Sequence, residues 1–460
     1  MKRKEKNINI TGIIETPQGN IVFSAENFKF TFMTTSISDE SIVLRADESG
    51  YIWGRTHDEE VIAIYSRNDI EVRNRQILNT WNFIISKYQH MPKQSMQSFK
   101  GIRFENGAIK TINPCNGLVY DTEASKGDMI VYRRKKDYKK YKFMHGDKSV
   151  DWTFTSMINQ RKNLGEGDSL SNSTSLLDIT FDEEQQLSVF YDYYGYVCDL
   201  CSFLTFRRNI SFEMVYLFHE SIIDSKGTSV HEPYAECYIK APEEVSQRKL
   251  VNIIHLQYIN DEVFKNIFCS ITDKDNEHKR NEKILSLPLA IAPKNDSDVY
   301  VMDIGRIKNI CSDLEMELNL AKVRLPQNEE LRLLAKWIKK MVKHHKRGNT
   351  PLKEKEYNYI YHNMSHWGQP LAEIAGEAWR QHEDEMSPFL QKYGISVTED
   401  NIQAFVTARN NATHNGFVEI SDEVCNTAFA LMGLIYCFTL TRLGMQPDLI
   451  KRIMEKRLFS

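Results

Sequence analysis

The spacing of apolar residues changes along this chain, and the change limits the folds that it can adopt. Between about residues 7 and 180, apolar residues alternate with polar ones or form short β-branched runs such as Val61-Ile62-Ala63-Ile64, a pattern typical of strands. From about residue 300 they recur every three or four positions, as in amphipathic helices. We therefore predict an α+β fold with a β-rich, sandwich-like N-terminal region and an all-α C-terminal bundle.

A chain of 460 residues is longer than a single hydrophobic core usually supports, so we expect more than one domain. We predict three parts: a β-rich domain over 1–180, a mixed α/β middle region over 181–299 and a helical bundle over 300–460. In the middle region we expect a helix over 183–206 and a strand over 212–218. In the bundle we expect helices over 302–323, 326–345, 371–392, 399–413 and 422–443, the last with Ser421 as N-cap.

The composition of the chain limits the classes of function that we expect for it. Because the formal net charge is −3, contact with nucleic acid requires local basic patches. Eight dispersed cysteines, and an N-terminus without the apolar run of a secretory leader, indicate free thiols in the cytoplasm. The longest apolar run, over 428–440, falls short of the roughly 20 residues that span a bilayer. We therefore expect a buried core helix there and no membrane partner.

One predicted helix ends with a permanent cation and an imidazole, Arg409 and His414. Arg409 falls on the apolar stripe of that helix, four residues after Phe405, so we expect its guanidinium to have a partner. Gly416 suits a left-handed helix cap, which places His414 in the last turn. The plain interpretation is a polar cap, with His414 favoured by the helix dipole.

The same pair suits cleavage of RNA without a metal. Arginine presents a flat fork of donors to two phosphate oxygens, and histidine exchanges protons near neutral pH. When a ribose 2′-hydroxyl attacks the adjacent phosphorus, the histidine moves a proton and the arginine holds the developing charge. Asn410 or Asn411 would orient the phosphate or the imidazole.

Arg409-Asn410, three further residues and His414 resemble the R-x(4–6)-H motif of the HEPN superfamily. The segment Ile10-Thr11-Gly12-Ile13-Ile14, with Pro17, Gly19 and Ile21-Val22-Phe23 after it, resembles the start of the β-rich region of the ApeA type. These are antiphage abortive-infection proteins with a C-terminal HEPN domain.

The resemblance implies a ribonuclease that needs no cofactor, with Arg409, His414 and Asn410 as catalytic residues and a polar residue from another helix supporting them. It implies a homodimer whose two motifs face one cleft across a two-fold axis, transfer RNA as substrate and a phage component as trigger. The β-rich region would then sense infection or restrain the nuclease.

Five basic residues crowd the end of the second predicted bundle helix: Lys339, Lys340, Lys343, Lys346 and Arg347. Cations favour a helix C-terminus, and the same density suits RNA phosphates. Both interpretations stay open, and the second makes these the candidate RNA-binding residues. A second basic segment, 133–142, interleaves tyrosines with lysines; a solvated hairpin edge is favoured over nucleic-acid binding there.

Cys198 and Cys201 form a C-x-x-C pair, but zinc needs four ligands and no second pair follows. Core packing is favoured. His382 lies in the apolar stripe of its predicted helix, as a core histidine or as the supporting polar residue.

Two other functions stay open. One is a HEPN fold that only dimerises and recognises a phage component or a nucleotide; the presence of both motif residues argues against it, because a scaffold has no need of the pair. The other is a zinc enzyme built on the cysteine pair, which would carry stoichiometric metal.

Overall fold

The structure is a computed structural model. It describes residues 8–35, 41–114, 118–120, 132–134, 137–163, 167–207, 210–223, 229–240, 254–272, 302–325, 328–346, 353–365, 370–414 and 420–456. The chain forms two compact units, Met1–Thr272 with Lys294–Asp296, and Asp273–Pro293 with Ser297–Ser460.

The first unit is built on strands. They are β1 Asn9–Thr16, β2 Gly19–Glu26, β3 Lys29–Thr34, β4 Ile42–Leu44, β5 Tyr51–Thr56, β6 Glu60–Tyr65, β7 Ile70–Val72, β8 Arg75–Asn79, β9 Asn82–Gln89, β10 Ser98–Glu105, β11 Leu118–Tyr120, β12 Tyr132–Arg134, β13 Asp137–His145, β14 Lys148–Asn163, β15 Gly167–Gln186, β16 Met214–Ile223 and β17 Ser229–Ile239. Thirteen of these form one antiparallel sheet in the order β13-β14-β15-β10-β16-β17-β9-β6-β5-β1-β2-β3-β8.

Alternating side chains explain these strands. In β2, Ile21, Phe23 and Ala25 are buried while the residues between them are not, so one face of the strand lies on the core. Gly12, opposite Phe23 in β1, has no room for a side chain, because a Cβ there would meet the Phe23 ring at 2.4 Å. The turn between β1 and β2 uses the positive φ of Gly19.

The predicted middle region contributes β16 and β17 to the same sheet, where β10 pairs with both β15 and β16. The helices of this unit are α1 Ala108–Ile112, α2 Ser188–Thr205 and α3 Asp261–Thr272. The predicted helix over 183–206 therefore begins five residues late. Gln185 is still paired with Phe99 in the sheet, and that pairing holds the backbone extended.

The second unit is helical. Its helices, among the described residues, are α4 Ile304–Leu320, α5 Glu329–Lys346, α6 Glu354–Ser365, α7 Leu371–Gln381, α8 Glu383–Tyr393, α9 Glu399–His414, α10 Asp422–Arg442 and α11 Pro447–Lys456. A large antiparallel sheet followed by a helical region confirms the predicted α+β class.

Helix α10 is the core of this unit. The Ser421 hydroxyl accepts a hydrogen bond from the Val424 amide at 3.3 Å, which confirms the predicted N-cap and contributes about 1 kcal/mol. The helix is long and apolar enough to cross a membrane, but 78% of its most apolar window is buried within the protein. This burial agrees with the predicted core helix.

The prediction of one helix over 371–392 is wrong. The backbone leaves helical geometry at His382, with φ −119° and ψ 17°, and α8 starts at the next residue. Glu383, Asp384 and Glu385 fill the first turn of α8, where carboxylates are favoured by the positive end of the helix dipole. That acidic run is the sequence signal for the start of a second helix.

Candidate functional site

Arg409 lies on α9, which packs against α4, α7 and α10. Its guanidinium donates from Nη1 to Oδ1 of Asn410 at 3.0 Å and from Nη2 to Oε1 of Glu315 at 3.1 Å. Glu315 lies on α4, so the expected partner comes from a neighbouring helix. The Arg409 side chain is 30% exposed. Glu315 therefore fixes its orientation, while part of the guanidinium remains accessible to a ligand.

The sequence of α9 explains this half-buried position. Ile402, Phe405, Val406, Ala408 and Ala412 are buried, and they fix the face that α9 turns to the core. Arg409 borders that face, and its guanidinium reaches Glu315. The two bonds use two of the five N–H donors of a guanidinium. As far as the described residues show, the other donors remain for a phosphate.

His414 is the last residue of α9, so the predicted position at the helix end is confirmed to within one residue. Its side chain and residues 415–419, with the predicted Gly416 cap, lie outside the described residues. Five residues of a regular α-helix rotate by about 500°, which leaves the Cα of His414 about 140° around the axis from that of Arg409. The Cα atoms of Arg409 and His414 therefore lie on different faces of α9.

Helix α4 also carries a buried carboxylate beside the site. Glu317 is fully buried and accepts hydrogen bonds from Nε of Arg442 at 3.0 Å and from the Thr439 hydroxyl at 3.1 Å. These bonds tie α4 to α10, and they fix the helix that presents Glu315. Burying a charge is tolerated when it is paired and hydrogen-bonded in this way.

Asp313, one helical turn before Glu317, has no such partner. Its Oδ2 is buried without a hydrogen bond to any described residue. Burial, together with the Glu317 carboxylate, raises the pKa of Asp313 to about 7. Below about pH 7 the folded protein therefore favours the protonated acid.

The stability of this unit should depend on pH through Asp313. A raised folded-state pKa contributes stability that is complete below the unfolded pKa of about 3.9 and is lost as pH rises through about 7. Asp313→Asn removes the ionisable group, so the melting temperature of the variant relative to wild type should be higher at pH 8 than at pH 5. The expected difference is about 3 kcal/mol, or roughly 6–12 °C in a domain of this size. Equal differences at both pH values would contradict the assignment.

The predicted RNA-binding lysines Lys339, Lys340, Lys343 and Lys346 are all exposed on α5, and Arg347 lies outside the described residues. In the described residues, Lys346 forms an ion pair with Glu354 at 2.5 Å. No described carboxylate pairs with the other three. They remain available to an anionic partner.

His382 has the surroundings of a core histidine. Its ring meets the Phe438 ring edge-on at 4.5 Å between centroids, and its Nδ1 lies 3.8 Å from Oε2 of Glu385. Burial lowers the pKa of His382, which favours the neutral imidazole. Support for Arg409 comes instead from Glu315, which the sequence did not single out, because Asp313, Glu315 and Glu317 alternate along the same helix.

The cysteine pair has the surroundings of core packing. Cys201 is buried in α2, and burial raises the pKa of Cys198 to about 12. Both effects favour the thiol over the thiolate that zinc requires. Within the described residues, no three His, Cys, Asp or Glu side chains are grouped as metal ligands.

The second basic segment includes β13, which lies at an edge of the sheet among the described strands. Lys140 pairs with Asp151 at 2.6 Å, and the buried Tyr141 ring stacks on Phe264 at 3.9 Å. These contacts support the predicted hairpin edge, where lysines discourage pairing with another strand.

No protein-family model, curated protein or solved structure matches this chain. Its function must therefore be inferred from the chemistry of its own residues.

Proposed function

We propose that this chain is a cytoplasmic, metal-independent endoribonuclease that acts in antiphage defence by cleaving transfer RNA or other cellular RNA. The observation that carries the proposal is the half-exposed Arg409, held by Glu315 and Asn410 on the helix that ends at His414. An arginine with donors left for a ligand stabilises charge at a phosphodiester, and a histidine transfers a proton there. The defence role and the transfer-RNA substrate come from the resemblance to the ApeA type.

The reaction begins when the 2′-hydroxyl attacks the adjacent phosphorus and the 5′-oxygen of the next nucleotide leaves. Arg409 stabilises the charge on the non-bridging oxygens, and His414 transfers a proton to or from one of the reacting oxygens. Asn410 shares the guanidinium with Glu315 and limits its rotation. The products are a 2′,3′-cyclic phosphate and a 5′-hydroxyl end.

Two chains would complete the site. One motif holds one histidine, whereas the reaction benefits from both an acid and a base. The rotation of about 140° between Arg409 and His414 along α9 also favours a histidine from another chain facing each arginine. A two-fold pairing of α9 helices would supply it. A chain that stays monomeric at micromolar concentration and still cuts RNA would contradict this arrangement.

Glu315 should be a positioning residue. Glu315→Ala removes the hydrogen bond that orients Arg409, a loss of about 1.4 kcal/mol, and should lower kcat/KM on RNA about tenfold. Stability should change little, because the ion pair is partly exposed. The measurement is kcat/KM for cleavage of total RNA or a defined transfer RNA in excess EDTA, together with a thermal melt.

Glu377→Ala is the matched control for that substitution. Glu377 also holds an arginine, Arg380, at 2.9 Å on the same unit, but this arginine is not part of the motif. The control should keep parental activity. Equal activity of Glu315→Ala and the parent would show that Glu315 does not position the catalytic arginine.

A further inference from the structure

Helix α5 has two contrasting faces and no buried residue. Residues three and four apart share a face of a helix, so five apolar side chains lie on one side: Leu331, Leu334, Ile338, Met341 and Val342. Leu331, Ile338 and Val342 are half-buried, and Leu333, which is 54% exposed, lies outside this side. Exposure of Leu334, Trp337 and Met341 is 47%, 59% and 51%. Side chains of this size normally lie in a core, and an exposed apolar face marks an interaction surface.

The opposite side is basic. It carries Arg332, Lys336, Lys339, Lys343 and Lys346. With Lys340 and two glutamates at its start, the helix has a net charge of +4 with histidines neutral, in a chain whose net charge is −3. No described carboxylate pairs with Lys336, Lys339, Lys340 or Lys343, so these charges are available to an anionic surface.

Trp337 lies at the border between the two faces. It is three positions before Lys340 and four before Met341. A tryptophan with an apolar ring and a polar N–H is favoured where hydrocarbon meets water.

We propose that α5 docks flat on an anionic phospholipid bilayer, with its apolar face among the upper acyl chains and its lysines at the headgroups. A helix with Lys and Arg on one face and Trp and Leu on the other has the chemistry of a surface-lying membrane helix. Its 18 residues extend about 27 Å along the surface. Docking needs no spanning segment, so it revises the expectation of no membrane partner. It does not depend on ribonuclease activity.

Charge favours an anionic bilayer over a second copy of α5 or RNA as the partner of this helix. A second copy of α5 would bring +4 against +4, which opposes self-pairing. RNA phosphates would occupy the basic face alone and leave Leu334, Trp337 and Met341 in water. An anionic bilayer engages both faces at once.

The test is flotation of the full-length protein with vesicles of phosphatidylcholine containing about one third phosphatidylserine, and with vesicles of phosphatidylcholine alone. The protein should float only with the anionic vesicles, and less as salt rises. Each lysine contributes about 1 kcal/mol, or about fivefold; Lys339→Gln/Lys343→Gln should therefore weaken binding about 25-fold. Leu334→Ser/Trp337→Ser, which removes apolar contact with the acyl chains, should abolish flotation. Lys451→Gln/Arg452→Gln, at exposed positions of α11, is the matched control and should bind like the parent.

Any of the following results would overturn the proposal. The parent could fail to float with anionic vesicles. The Leu334→Ser/Trp337→Ser variant could float as well as the parent, which would exclude burial of the apolar face, or it could lose only self-association by light scattering, which would assign the face to a second copy. The lysine variant could lose RNA binding with flotation unchanged, which would assign the basic face to RNA.

Discussion

Replacing His414 with alanine should lower ribonuclease activity about 10²- to 10⁴-fold, the usual contribution of proton transfer by a positioned side chain. Replacing Arg409 with alanine should cost about 10²- to 10³-fold, by analogy with a lost donor to a developing oxyanion. The folded state should survive both changes, because Arg409 is partly exposed and His414 ends its helix. Protection against phage should disappear with either.

These effects are measured as initial rates on the same RNA, with circular dichroism as the check on folding. Arg380→Ala is the matched control, because Arg380 also pairs with glutamates on this helical unit but lies outside the motif. Its activity should equal that of the parent. If both motif variants cleave RNA at the parental rate, the site is not where we place it.

Removing the first unit should raise ribonuclease activity about a hundredfold. A nuclease that cut host RNA continuously would kill its own cell, so we expect the β-rich unit to hold the motif inactive until infection. A coupling of about 3 kcal/mol between trigger and site gives this factor and lies within the usual range for allosteric proteins. The fragment to compare with the full chain is Asp273–Ser460, which includes the whole helical unit.

His414→Ala in the same fragment is the control that attributes any gain to the motif. A fragment that is folded and dimeric but inactive would contradict restraint, and it would assign substrate binding to the first unit instead. A fragment with the activity of the full chain would show that the first unit does not regulate.

Local patterns in the sequence predicted much of the fold. A short β-branched run predicted β6, the three- and four-residue spacing predicted α9, and a long apolar run predicted α10, because these patterns depend on neighbouring residues alone. The order of the sheet was not predictable. Pairing of β10 with both β15 and β16 joins residues far apart in the chain, and local patterns carry no information about such partners.

The candidate site also has one part that the sequence predicts and one part that only the structure reveals. Arg409 and His414 are candidates because of their chemistry and their resemblance to the HEPN motif, whereas Glu315 required the structure, because its contact with Arg409 depends on how α4 packs against α9. The apolar face of α5 was missed for another reason. Spanning segments appear as continuous apolar runs, but the apolar residues of α5 are distributed around one side of a helix between lysines.

The chemistry of the cut ends tests the central claim most directly. The full-length protein, or the helical fragment if the full chain is silent, is incubated with total RNA in excess EDTA, and the new termini are mapped. Attack by the 2′-hydroxyl with Arg409 and His414 predicts 2′,3′-cyclic phosphate and 5′-hydroxyl ends, unaffected by the chelator. Ends that carry 5′-phosphates, or cleavage that EDTA abolishes, would contradict it.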